Sequence, residues 1–340
     1  MPSPSEDHEQ SATTLARARR TTHFDVSRCT EAAGDLEFRA YGRDVLLAPN
    51  GSEVPMAQGA VSGALSRQRR HLVALTVDGV DPGSVAPLCA HDVAIGYRKR
   101  LASLLATEVV LAGSVTHQLL DELPVLNLIT RYVIRRSAQA RQVTHSGHAD
   151  RIGVCAGWRP GGAAAVSVLR TGQPAQSTGP PAVPLEELDP DAVWHAMPDL
   201  PPGSVRRVRS LDVTRTPTGG VAARAWFRDI AVTEGGENLV IHQYALTCGV
   251  DGAGTVTRLD VDPQVLPYDE CFAAPGGTAV LIGRPVAELE PAVRSQLRGV
   301  SSCTHLNDQL RSFIGLSRLL PALAAERSSD RETAVAARSA

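Results

Sequence analysis

Ser302-Cys303-Thr304-His305-Leu306-Asn307-Asp308, near the C-terminus, has an echo in the first half of the chain, Ser114-Val115-Thr116-His117. Behind each Thr-His the apolar residues fall at helical spacing: Leu306, Leu310, Phe313 and Ile314 in one copy, Leu119, Leu120 and Leu123 in the other. Each histidine therefore lies in the first turn of a predicted helix. His305 and Asp308 are three apart and His117 and Asp121 four apart, so on a helix each pair shares a face. A carboxylate there can orient an imidazole for acid–base work. The competing reading is a helix-start histidine bonded for structural reasons alone.

Three more matches run outward in the same order. Arg19-Arg20-Thr21-Thr22-His23-Phe24-Asp25-Val26 parallels Arg206-Arg207-Val208-Arg209-Ser210-Leu211-Asp212-Val213. An Arg-Ala-x-x-Arg-Asp pattern ends at Asp44 and again at Asp229. His71–Asp78 resembles Gly254–Asp262, with Leu72, Leu75 and Val77 matching Val256, Leu259 and Val261. Four ordered matches point to an internal duplication, and the period is too long for a solenoid.

Each copy has one plan. Strands are predicted near 21–27, 36–47 and 61–78, and near 207–214, 221–232 and 239–262. Helices follow at 94–111 and 114–127, and at 272–297 and 303–316. Strands first and helices after argue α+β, two homologous domains each with an antiparallel sheet and helices packed on one face. The expected division is a disordered tail (1–18), a first repeat (19–137), a Gly/Pro-rich linker (138–205), a second repeat (206–323) and a second disordered tail (324–340). The linker carries Gly161-Gly162, Gly179-Pro180-Pro181 and Pro201-Pro202-Gly203, yet also Trp158, Trp194 and Met197, so it is expected to dock over the joint between the repeats.

Composition narrows the chemistry. With 340 residues, 43% of them hydrophobic, the chain can bury two modest cores. A net charge of -2 gives no pull towards nucleic acid or anionic membranes. The polar N-terminus lacks an apolar core segment, and no stretch is long and apolar enough to span a bilayer. The expected location is the cytoplasm. There reduced thiols are the default for Cys29, Cys89, Cys155, Cys248, Cys271 and Cys303, none in Cys-x-x-Cys spacing. Among 34 basic residues Lys99 is the single lysine, so a Schiff-base mechanism would need it or the N-terminus.

Cys271, Leu281-Ile282-Gly283, Gly299 and Cys303-Thr304-His305-Leu306 resemble the bacterial domain of unknown function 2889 family, whose shorter members have one such domain ending in Cys-Thr-His-Leu. Cys155-Ala156-Gly157-Trp158-Arg159 and Gly179-Pro180-Pro181 are similar to its longer members, so the resemblance covers nearly all of 19–318. It implies architecture and candidate positions rather than a reaction. The first copy has Val115 where the second has Cys303, and only Cys89 near the place of Cys271. If the cysteines are functional, the second copy is the working one.

Cys271, Cys303 and His305 are residue types that suit zinc or iron. Buried free cysteines also simply pack. His23 and Asp25 alternate on a predicted strand beside Arg19 and Arg20, and the second copy keeps Asp212 but has Ser210 for the histidine. That asymmetry makes His23 a candidate base, while Asp25 and Asp212 read as strand-face salt bridges to arginine. Arg43-Asp44 and Arg228-Asp229 read as domain-internal ion pairs. His145-Ser146-Gly147-His148-Ala149-Asp150 crowds ligand types in a loop, and Tyr268, just before Cys271, could supply a proton.

No Gly-x-Gly-x-x-Gly after a strand, phosphate loop, Gly-x-Ser-x-Gly or His-Glu-x-x-His is present. The leading expectation is a cofactor-independent enzyme of isomerase, cyclase, lyase or hydrolase type on a small-molecule substrate. It would work by His/carboxylate chemistry through His23, His117, Asp121, Tyr268, His305 and Asp308 in a pocket between the repeats. The alternatives are a metal or iron-sulfur protein using Cys271, Cys303 and His305, and a non-catalytic ligand- or partner-binding module. Neither nucleic acid nor membrane is an expected partner.

Overall fold

The computed structural model describes residues 16–28, 35–48, 51–66, 70–89, 92–93, 95–125, 129–130, 148–175, 179–188 and 193–323. Eight antiparallel strands form one sheet in the order β4-β3-β2-β1-β5-β6-β7-β8. The first four are β1 (Arg17–Arg28), β2 (Leu36–Leu47), β3 (Glu53–Ser66) and β4 (His71–Val77). The second four are β5 (Val205–Arg215), β6 (Val221–Val232), β7 (Asn238–Val250) and β8 (Val256–Val265). With helices after each set of strands, the architecture is α+β. The long strand runs expected at 61–78 and 239–262 each resolve into a hairpin, β3–β4 and β7–β8.

The halves share this one sheet because β1 and β5 pair antiparallel along their length, Arg17 opposite Thr214 through Val26 opposite Val205. In that register Arg19 faces Asp212 and Asp25 faces Arg206. Arg19 Nε lies 2.6 Å from Asp212 Oδ1 and Arg206 Nε 2.6 Å from Asp25 Oδ1. Each aspartate thus pairs with an arginine of the other half.

Helices cover one face. In the first half these are α1 (Pro82–Cys89), α2 (Tyr97–Ala106) and α3 (Val115–Asp121). The linker adds α4 (Ala163–Thr171) and the short α5 (Leu185–Leu188). The second half has α6 (Leu289–Gln296) and α7 (Thr304–Arg311). Where a helix was expected over 272–297, a 3-10 run spans Asp269–Leu281 and α6 starts only at Leu289. Pro275 lacks the N–H that an α-helix needs, and Gly276-Gly277 follow it, so the tighter, shorter-range turn prevails.

Alternation along β6, where Ala223, Ala225 and Phe227 are buried between more exposed neighbours, sends its apolar set to the helices. Two main cores result. One gathers Phe24, Phe38, Leu119 and Leu120, the other Phe227, Tyr244, Leu306, Leu310 and Phe313. Each fully buried Leu or Phe contributes about 1.5–3 kcal/mol of transfer free energy. The central strand β1 is buried on both faces because the linker covers the side away from the helices. Pro181 bridges to Leu239, Trp194 meets the Trp226 ring edge-on at 5.9 Å, and Arg206 donates to the Pro198 carbonyl. These contacts lay residues 180–183 and 193–198 of the linker against the sheet. At Gly179 a Cβ would fall 1.5 Å from Val240 O, so only glycine lets the chain approach β7 there.

Arg17 and Ala18, expected in the tail, open β1; residues 1–15 and 324–340 lie outside the described residues, as do Cys29 and His145–Gly147. No helix among the described residues is long and apolar enough to cross a membrane.

Candidate functional site

Both Thr-His motifs start helices. At α3, Ser114 is the cap, its Oγ accepting the His117 N–H at 3.0 Å. His117 Nδ1 accepts the Gly113 N–H at 3.0 Å, which places the ring proton on Nε2. This buried imidazole holds a turn, and burial lowers its pKa. Asp121 bonds Arg98 (2.6 Å) and Arg311 (2.9 Å) and makes no hydrogen bond to His117. Burial opposes its ionisation, but Arg311 and Arg98 outweigh that and hold the carboxyl well below the usual range.

At α7 the cap position is Cys303, which makes no side-chain cap bond. His305 Nδ1 lies 3.8 Å from Cys303 Sγ, and the ring stacks on His242 with centroids 3.7 Å apart. Its Nε2 is buried without a hydrogen-bond partner among the described residues. Burial, with His242 beside it, pushes its pKa well down. Asp308 turns away to guanidinium groups: Arg311, Arg98 at 3.3 Å and Arg207 at 3.3 Å. Neither expected His/Asp pair is a hydrogen-bonded dyad. The carboxylate that serves a histidine is Asp229, whose Oδ2 lies 3.1 Å from His242 Nδ1 while Arg207 grips both oxygens at 2.6 and 2.8 Å. Against the cost of burial, Arg207 holds Asp229 far below the usual carboxylate range.

One charge network therefore joins the halves. Asp121 of α3 meets Arg311 of α7, Asp308 of α7 meets Arg98 of α2, and Glu122 lies 3.1 Å from Arg209 of β5. Beside it a cavity of about 500 Å³ opens between α2 and the pair α6–α7. Asp308 is the one carboxylate among its described lining residues, which include Tyr97, Arg98, Lys99 and Arg311. The Tyr97 hydroxyl is buried and without a hydrogen-bond partner among the described residues.

His23 lies on the other face of the sheet. Thr21, His23 and Asp25 point to the linker while Arg20 and Phe24 point to the helices. His23 Nδ1 meets His195 Nε2 at 2.7 Å, and His195 Nδ1 meets Thr21 Oγ1 at 2.8 Å. Burial brings His23 down to about 4, with Arg206 adding, and His195 down to about 3, with His23 adding. His23 is thus separated by the thickness of the sheet from His305 and Asp308. A second cavity, about 400 Å³, lies on this face beside Trp194, Trp226 and Ser210.

Tyr268 donates to the Ala175 carbonyl at 2.8 Å and so ties down the linker. The linker also brings Cys155 near Cys271 and Cys303, since Ala156 N–H donates to Ser302 O and Gly157 leaves just enough room for Cys271 Sγ. Burial raises all three thiols, Cys155 to about 11, so as free thiols they are poor nucleophiles at neutral pH.

Sequence reasoning missed His242, His195, Arg98 and Arg311. For His242 a signal existed: it alternates with Tyr244 and Leu246, which puts it on the helix face with the Phe227 core. For His195 none did.

No curated protein and no solved structure matches the chain. Residues 205–316, from β5 through α7, match the family model described as Protein of unknown function (DUF2889).

Proposed function

We propose that the protein is a cofactor-independent enzyme that converts a small organic molecule by acid–base chemistry in the cavity between its halves, an isomerase, cyclase, lyase or hydrolase in type. The observation that carries this reading is the cavity wall, where Asp308, oriented by three guanidinium groups, is the one carboxylate among the described lining residues and Tyr97, whose hydroxyl has no hydrogen-bond partner among the described residues, lines the same cavity. Asp308 is the proton acceptor. Burial raises Tyr97 well above the usual phenol range, so it acts as a hydrogen-bond or proton donor. His305 and His242 do not line the cavity; they stand behind Asp308 through Arg207 and Asp229 and position it. The reading includes descent of both halves from one duplicated unit, supported by the crosswise Arg19–Asp212 and Arg206–Asp25 pairs, and the cytoplasmic location expected from the sequence.

The test is turnover of a library of small organic acids, esters and lactones followed by mass spectrometry. Asp308→Asn, checked to be folded, is expected to lose about 10²-fold or more in rate, and Tyr97→Phe a similar amount. A folded Asp308→Asn protein that turns over as fast as wild type overturns the reading.

A second reading, a metal protein, is favoured by one observation: ligand atoms of Asp229, His242 and His305 all lie within 4.8 Å of one another. That set supports zinc or iron better than Cys271 with Cys303 and His305, although Cys303 stands next to His305. Elemental analysis with thiols kept reduced decides it. Stoichiometric metal in wild type, lost in His242→Ala, favours this reading over the first.

A further inference from the structure

Charges around the interhalf cavity do not cancel. Of its described cationic lining residues, Arg70 pairs with Asp92 at 2.6 Å and Arg294 lies 3.8 Å from Glu290. Arg98 and Arg311, with Arg207 behind them, are matched by Asp121, Asp308 and Asp229. Lys99 and Arg151 remain, and no carboxylate among the described residues pairs with either. Arg151 rests over the Trp158 ring at 5.6 Å, partly desolvated, and burial lowers its pKa. A guanidinium in that state gains from a counter-ion.

The excess is local, because the whole chain carries a net charge of -2. It also uses the chain's single lysine: in a sequence that otherwise places arginine at every basic position, the compact ammonium of Lys99 is exposed at the cavity wall. A cavity of about 500 Å³ is of a size to hold a metabolite-sized ligand.

We infer that this cavity takes a small organic dianion, bearing carboxylate or phosphate groups, with Lys99 and Arg151 as its charge-recognition residues. The inference rests on the proposed site and names its substrate class. The anion seats between the two cations, its neutral portion reaches towards Asp308 and Tyr97, and the three matched guanidinium groups keep Asp308 from repelling it.

The experiment is calorimetric titration of the full chain with citrate and, separately, with inorganic pyrophosphate, at low and at moderate salt. Saturable one-site binding of at least one of them is expected. Lys99→Ala and Arg151→Ala should each weaken it about tenfold, Lys99→Arg should largely retain it, and Arg258→Ala, remote on β8, should leave it unchanged. Binding of citrate alone assigns carboxylate recognition; binding of pyrophosphate alone assigns phosphate. No saturable binding of either, or binding that survives in both Lys99→Ala and Arg151→Ala, overturns the inference. Because binding is read without turnover, anion binding with no substrate converted would leave this inference standing and sink the enzyme reading. Turnover confined to uncharged compounds would do the reverse.

Discussion

Asp229→Ala is expected to destabilise the protein by about 3–5 kcal/mol, the largest effect of any single side-chain truncation in the charge network. Asp229 is fully buried, and Arg207, 1% exposed, loses both of its strong hydrogen bonds when the carboxylate goes. A buried guanidinium left with only its 3.3 Å contact to Asp308 would then sit between the sheet and α7, near Arg209, and His242 would lose its acceptor. The measurement is urea unfolding of wild type and variant. The double variant Asp229→Leu with Arg207→Met should recover most of the loss, since the cost lies in the orphaned charge rather than in the missing attraction. For contrast, Glu234→Ala breaks the exposed Arg28–Glu234 pair and should cost less than about 1 kcal/mol. If Asp229→Ala is as mild as Glu234→Ala, the buried network contributes nothing to holding α7 on the sheet.

Stability is also expected to fall steeply as pH drops from about 6.5 towards 4. His23 and His195 have folded pKa values lowered to about 4 and about 3 by burial. The unfolded chain takes up their protons near pH 6.5 while the folded chain does not. Their contribution is therefore fully present above the unfolded value and lost as pH falls through this window, each histidine contributing about 1.4 kcal/mol per pH unit. The lowered His117 and His305 act in the same direction. Below about pH 4 the depressed carboxylates Asp121 and Asp229 continue the loss. Urea unfolding at pH 7.5 and pH 5.0 reads the slope, and His195→Gln should flatten it. An equal stability at the two pH values would mean that these rings are not buried neutral beneath the linker.

Local sequence carried the element order and several contacts. The 3.6-residue spacing after each Thr-His places α3 and α7 where they stand, because an amphipathic helix states its own buried face. Alternation on β1 and β5 was enough to pair Asp25 and Asp212 with arginines, since like-facing residues on neighbouring strands meet. Arg43-Asp44 and Arg228-Asp229 read as domain-internal ion pairs, and Asp44 and Asp229 are paired within their own halves, but with Arg20 and Arg207 rather than with their sequence neighbours.

Function-bearing geometry was another matter. That β1 and β5 pair into one sheet depends on hydrogen bonds between segments some 190 residues apart, for which no local pattern speaks. The same pairing puts His23 and His305 on opposite faces, so residues alike in chemistry do not share a site. Helical spacing brings His305 and Asp308 to one side of α7, but guanidinium groups from β5 and α2, together with Arg311, outcompete an imidazole for the carboxylate, being permanently charged. His305 instead finds His242, and His195 reaches His23 only because the linker docks. Sequence by itself determined the strands-then-helices order of each half and the buried faces of α3 and α7, but not the 3-10 run at Asp269–Leu281. Tertiary structure alone decided which titratable groups meet, because charge pairing across the sheet is set by long-range register.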